Sequence, residues 1–179
     1  MRRLADDLGL GTMTVYGYFS SREELLEAVT SHVFNQGDRP RRSAEDAPWD
    51  VRLRGELRDL HRLCRRHPNL VTLILGQLSP APGIFRLREQ ILSLLLDGGL
   101  SEQDAVHALG VLTYYVLGFS GAQARHAPVD LPERIEELSA EEFPRLTAVA
   151  SMYASHLSDP AFEYGLDLLV RGLANSVNK

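Results

Sequence analysis

The stretch from Leu4 to Leu26, LADDLGLGTMTVYGYFSSREELL, limits what this chain can fold into more than any other. Its spacing reads as a short helix, a glycine turn, a second short helix and the start of a third. Leu4, Ala5 and Leu8 put apolar groups on one helical face, and the small Ala5 lets the second helix cross closely over the first. Gly9 sits where the chain must leave the first helix, because glycine reaches a left-handed conformation without steric penalty. Thr12 is placed to cap the second helix through its hydroxyl. Val15 and Phe19 lie four apart and face inward, leaving Thr14, Tyr16, Gly17 and Tyr18 to point elsewhere. Ser21 followed by Glu24 is a capping box for the third helix. The layout is that of a helix-turn-helix, whose second helix enters the DNA major groove.

Helical periodicity continues to the end of the chain, and strand signals are nearly absent, so the expected fold class is all-α. The third helix runs to about Phe34 with Leu25, Leu26, Val29 and Val33 on its buried side. A polar, Pro-containing linker follows from Gly37 to Asp46. Pro48-Trp49-Asp50 opens a helix carrying Leu53, Leu57, Leu60, Leu63 and Cys64, which ends at His67-Pro68. Asn69 to Leu78 is a short apolar segment, and Ser79 to Gly83 is a break. Ile84 to Leu96 is helical, closed by Asp97-Gly98-Gly99. Ser101, with Asp104 three residues on, caps a long apolar helix from Glu102 to about Arg125. Gly110, Gly118 and Gly121 inside it cost roughly 1 kcal/mol each against alanine, which calls for a close approach by another helix or a ligand. His126 to Ala140 reads as a Pro-rich loop and Glu141 to about His156 as a helix. Ser158-Asp159-Pro160 caps the last helix, Ala161 to about Val177, with Phe162, Leu166, Leu169, Val170 and Leu173 on one face. The domain division that follows is 1–37 and 48–179.

Composition narrows the function classes. The chain has 179 residues, 44% hydrophobic and 24% charged, enough for one good core. A cytoplasmic location without a membrane partner is expected, since no apolar run reads as bilayer-spanning and no signal-peptide stretch opens the chain. The net charge of -5 argues against a generally basic nucleic-acid binder, so DNA contact would depend on Arg2, Arg3 and Arg22, which bracket the motif. Arg62, Arg65 and Arg66 read as decoration on a solvated helix face. Cys64 has no ligand-type partner beside it and reads as a packing residue. His61 and His67 are not spaced i, i+4, so no metal site is expected, and no cofactor. An enzyme is not expected either: Gly118-Phe119-Ser120-Gly121 lacks the nucleophile-elbow pattern, and Gly9-Leu10-Gly11 lacks the final glycine and the strand of a nucleotide loop.

The LADDLGLGTMTVYGYFSSREELL stretch resembles the TetR family of bacterial transcriptional regulators, its VYGYF core followed by a basic residue and ELL being more specific than a generic helix-turn-helix. The run from Arg65 to Phe119 and the tail FEYGLDLLVRGL resemble the C-terminal domain of the tetracycline-repressor branch. The resemblance implies a DNA-binding unit followed by an all-helical ligand-binding and dimerisation domain, in which the long glycine-bearing helix and the last helix of each subunit form an intersubunit four-helix bundle. It implies base-edge contacts by Arg2, Thr12 and Thr14, and phosphate contacts by Tyr16, Tyr18 and Arg22. Gly17 removes a side chain where relatives often carry a larger one. Implied effector-pocket liners are Leu60, Cys64, Ile74, Gln77, Leu78, Tyr114, Phe119 and Gln123. Implied dimer-interface residues are Leu112, Tyr115, Phe162, Leu166, Leu169, Val170 and Leu173. Near Ile74, where the tetracycline sensors place a histidine that helps hold a drug-bound magnesium, this chain has only aliphatics, so tetracycline-magnesium is not the expected effector.

The family's first helix, upstream of the position of Met1, is missing from this numbering, and so short a unit is marginal without it. Either Met1 is a mis-assigned start, or upstream residues lie outside the numbering, or operator binding has been lost. The expected function is therefore a homodimeric, ligand-responsive repressor of double-stranded operator DNA, released by a small apolar or amphipathic effector. The alternative is a dimeric small-molecule-binding protein that has lost its operator.

Overall fold

A computed structural model describes residues 1–36, 46–76, 81–125 and 131–177, and these contain helices and no strand. The N-terminal corner is α1 (Arg2–Asp7), α2 (Thr12–Tyr18) and α3 (Arg22–Gln36). Gly9 has φ +66°, and the Leu10 N–H reaches back to the Ala5 carbonyl at 2.9 Å, so the glycine stop closes α1 as its position demands. The cap of α2 differs from expectation. Gly11 is the N-cap and Thr12 the first helical residue, with no side-chain cap bond. Ser21 Oγ accepts the Glu24 N–H at 3.0 Å, and the Glu24 carboxylate reaches back to the Ser20 N–H at 2.7 Å, one residue upstream of the ordinary reciprocal bond. On α3 the buried side is also rotated from the expected one: Val29 is exposed and Thr30 is buried, its hydroxyl donating to the Leu26 carbonyl at 2.7 Å.

The larger body is built from α4 (Trp49–Arg66), α5 (Asn69–Leu75), α6 (Pro82–Asp97), α7 (Glu102–Arg125) and α10 (Asp159–Val177). Leu53, Leu57, Leu60, His61 and Cys64 form the buried stripe of α4, which packs on α6, α7 and α10. Phe162, Leu166 and Val170 of α10 and Leu112, Val116 and Leu117 of α7 complete the core. Gly99, at φ +92°, ends α6, and Ser101 Oγ accepts the Asp104 N–H at 3.1 Å to start α7, as expected. At 24 residues α7 is long and apolar enough on average to cross a membrane, contrary to the sequence expectation, but its buried face belongs to the core formed with α4, α6 and α10.

Two expectations fail between α7 and α10. The loop expected before Ala140 contains α8 (Leu131–Glu136), and the helix expected from Glu141 breaks into α9 (Pro144–Ala148) and a 3-10 turn (Ala150–Ser155). These short pieces pack chiefly on one another, around Ile135 and Ala150. The expected linker lies outside the described residues up to Glu45.

The glycines sort by what surrounds them. Gly121 sits against Val71, and a methyl group at Gly165 would come 2.3 Å from the Tyr115 hydroxyl, so these two permit close packing within the chain. Gly110 and Gly118 meet nothing within 4 Å, so the close approach expected there is not made by the described residues. Gly165→Ala should lower the melting temperature, by overpacking worth about 1–3 kcal/mol. Thermal unfolding of Gly165→Ala, Tyr115→Leu and the double variant should show the loss largely relieved when the ring is absent.

Candidate functional site

On α2 only Val15 is buried; Thr14, Tyr16 and Tyr18 are exposed and Thr12 is half-buried. Arg2 on α1 and Arg22 at the start of α3 are exposed as well. All six expected DNA-contact residues therefore lie in one compact corner with side chains at least partly accessible. Met13, 82% exposed between the two threonines, joins this face and was not singled out from sequence. Tyr18 is 76% exposed, so its ring gains little from packing and is available as a contact surface.

In the larger body an ion-pair ladder joins α4 to α10. Arg54 Nη1 meets Asp167 Oδ1 at 2.9 Å, Arg58 clamps Glu163 with bonds of 2.7–3.0 Å, and Arg65 Nη1 holds both Asp159 oxygens at 2.7 Å. Arg65 lies on the solvated face expected of it and in addition pairs with α10 there. Bonding to Arg58 holds the Glu163 carboxyl below its usual range, and bonding to Arg65 does the same for Asp159. These groups are substantially exposed, and such pairs contribute about 0–1 kcal/mol each. Their spacing of four and seven residues on α4 against four and four on α10 fixes the register of the two antiparallel helices.

His61 lies between the Arg58 and Arg65 rungs, and sequence reasoning missed its role. Its position four residues after Leu57 and three before Cys64, on the buried stripe, was the available signal. The imidazole stacks on Phe162 with centroids 3.8 Å apart and planes at 12°. Ser120 donates its only hydroxyl proton to the Val116 carbonyl at 2.7 Å, so its oxygen accepts from His61 Nδ1–H at 2.8 Å. Burial, then Arg65, pushes the His61 pKa down and favours the neutral ring. Phe119 and Tyr115 complete an aromatic cluster around Phe162, and the Tyr115 hydroxyl donates to the Phe162 carbonyl at 2.7 Å.

The described clefts each hold only part of the expected effector-pocket set. Ile74 and Tyr114 line a cleft of about 260 Å³ with Arg88, Val106 and Thr113. Gln123 lines a second cleft, of about 410 Å³, with Arg65, Pro68, Ala124 and Leu157. Leu60 and Cys64 are sealed in the core, and Phe119 is half-buried in the aromatic cluster. Gln77 and Leu78 lie outside the described residues.

The expected interface residues divide in the same way. Leu112, Phe162, Leu166 and Val170 are at most 1% exposed and fill the chain's own core, so they have no surface to offer a partner. Tyr115, Leu169 and Leu173 are partly buried against that core. Each helix packs inward through this face, which the sequence period could identify as apolar but could not assign to one chain or two. Outward apolar side chains are Val106, Val111 and Tyr114 on α7 and Tyr164 and Leu168 on α10, each 55–69% exposed. Of these Val111 lines a groove of about 390 Å³ between the two helices, together with Leu112, Leu169 and Leu173 of the expected interface.

Residues 42–177 match the family model of the tetracyclin repressor-like C-terminal domain. The chain belongs to the TetR family. Among TetR-family relatives, the tetracycline repressor protein class C of Escherichia coli is 28% identical over 176 residues, 96% of this chain and 80% of the relative. The HTH-type transcriptional repressor DrrR1 of Streptomyces coeruleorubidus is 31% identical over 123 residues; the match covers 69% of this chain but only 45% of that repressor. The crystal structure of the TetR family protein ActR of Streptomyces coelicolor in complex with actinorhodin superposes with a TM-score of 0.82 at 27% identity, covering 100% of this chain and 88% of ActR. Both curated relatives are transcriptional repressors, and the structural match extends through the helix-turn-helix corner as well as the larger body.

Two expected outcomes follow from this geometry. Because the folded-state pKa of His61 is below its ordinary value of 6.5, the unfolded chain takes up this proton first. The stability concerned is fully present above 6.5 and is lost as the pH falls below it towards the folded value. Denaturant unfolding across that window should show a shallower pH slope for His61→Phe than for the parent. Burial pushes the Cys64 thiol up to about 12, so the native protein near pH 8 should resist a thiol reagent that labels the unfolded chain readily.

Proposed function

We propose that this TetR-family protein is a ligand-responsive repressor that binds operator DNA as a homodimer and carries no enzymatic activity. The observation that carries the reading is the exposed face of α2, with Thr14, Tyr16 and Tyr18 flanked by Arg2 and Arg22, next in the chain to α3, which packs on α6 of the larger body. Residues 1–37 serve as the DNA-reading unit and 48–179 as the effector and dimerisation unit. The overall negative charge is compatible with this role because phosphate contact depends on where the arginines lie.

The link between the halves is the contact of α3 with α6. A methyl group at Gly83, at the start of α6, would lie 2.6 Å from Phe34 Cβ, near the end of α3. The missing side chain lets the two helices meet, and any shift of α6 is transmitted to α3 because Phe34 has no slack at its branch point. An effector that favours one position of α6 biases the spacing of the two recognition helices, which must sit about 34–36 Å apart to read successive major grooves. Coupling of this kind is reciprocal: the effector weakens operator binding by the factor by which the operator weakens effector binding.

The dimer seam we infer uses the outward stripes of α7 and α10 in place of their core faces. Gly118 on α7 and Gly172 on α10 meet nothing within 4 Å among the described residues and leave room for a partner's helices.

Mobility shift of the gene product against DNA flanking its own gene tests the whole reading. Arg22→Ala should weaken binding on every sequence and reduce the salt slope. Gly83→Ala should lower operator affinity without any effector. A folded dimer that shifts no specific DNA would favour the alternative of a ligand binder without an operator. For the seam, light scattering of Leu168→Glu should give a monomer with parental helicity; a persistent dimer would place the seam elsewhere.

A further inference from the structure

Among the described residues, two buried side-chain atoms of the larger body have no partner, His61 Nε2 and Gln123 Oε1. Their chemistry is fixed by their neighbours. His61 Nδ1–H donates to Ser120 Oγ, whose own hydroxyl donates to the Val116 carbonyl, so Nε2 is a bare lone pair. The Gln123 amide nitrogen donates to the Leu157 carbonyl at 2.7 Å and towards Asp159 Oδ1 at 3.3 Å; both partners accept only, so the amide cannot turn over to spare its oxygen. The two groups are close in the fold. Gln123 bonds Asp159 in the first turn of α10, Arg65 holds the same carboxylate one turn along α4 from His61, and His61 stacks on Phe162 one turn along α10. The cleft of about 410 Å³ lined by Arg65, Pro68, Gln123, Ala124 and Leu157 opens at this junction.

An unmet buried acceptor carries a desolvation penalty that only a donor relieves. We propose that His61 and Gln123 form the polar end of the effector site and receive hydroxyl or N–H donors of an uncharged ligand with an apolar frame. The inference rests on the reading of this body as the effector-binding half. A carboxylate ligand has no donor for either atom, and the low pKa of the His61 ring opposes its conversion into a donor. A cationic ligand would meet the guanidinium of Arg65 at the cleft. The apolar side of the cleft comes from Pro68, Ala124 and Leu157, and the two acceptors supply the selectivity.

The test compares 1-naphthol with its methyl ether, which keeps the ring and removes the donor, by calorimetric titration of the full chain. The parent should bind the naphthol about tenfold more tightly, the worth of one hydrogen bond. His61→Phe, which keeps the stack on Phe162, should bring the ratio near one. Equal affinities in the parent overturn the polar subsite while leaving the effector half standing, and binding of neither compound overturns both. Tighter binding of 1-naphthoate than of 1-naphthol also overturns the proposal. Nitrogen-15 spectra of histidine-labelled parent protein give an independent reading that needs no variant. Free protein should show His61 protonated at Nδ1 and bare at Nε2, and 1-naphthol, unlike its ether, should move the Nε2 resonance upfield. The opposite tautomer, or an Nε2 resonance unmoved at saturation, overturns the assignment.

Discussion

Helix α4 must bury one face against three other helices at once, and the rest of the molecule is arranged around that requirement. Its stripe of Leu53, Leu57, Leu60, His61 and Cys64 meets α6, α7 and α10, and each fully buried aliphatic there contributes about 1.5–3 kcal/mol. The surface ion pairs between α4 and α10 add little energy, but they select one register among the several that an apolar stripe alone would accept. That register puts Phe162 under His61 and Gln123 beside the first turn of α10. Hydrophobic burial thus holds the bundle together, and charge determines which side chains meet within it.

The periodic signals carried much of this. The Gly9 stop, the Ser21 and Ser101 caps, the bounds of α7 and the apolar stripes of α4 and α10 could all be read from spacing, because each depends on neighbours within one or two helical turns. The broken path from 131 to 158 could not. Its short pieces are held by packing between segments apart in sequence, as where α8 meets the 3-10 turn and Ile135 and Ala150 are buried, and such packing leaves no local period. The same limit explains why Val29 was assigned to the wrong side of α3: one residue of helical rotation lies within the tolerance of an apolar pattern, and Thr30 meets its polar requirement inside its own helix.

The site was less legible than the fold, for a related reason. Tyr16, Tyr18 and Arg22 are recognisable because an exposed aromatic or basic residue beside a packed Val15 is visible in a short window. The effector half depends on which helix faces meet. Leu60 and Cys64, plausible as liners, are buried in the helix bundle, while His61 becomes interesting only when Ser120 Oγ, 59 positions away, accepts its Nδ1–H. Similarly, the inner face of α10 is the strongest apolar signal in the tail, and for that reason it is used within the chain and leaves a weaker stripe outside.

Trp49 has an optical consequence. It is the only tryptophan in the chain, and it lies at the first turn of α4 against the C-terminal end of α6, where a methyl group on Gly98 would come 2.6 Å from its ring. The indole therefore sits on the far end of the same helix whose beginning touches Phe34. Its emission is an intrinsic gauge of how α6 lies against α4, supplied by the sequence without any label.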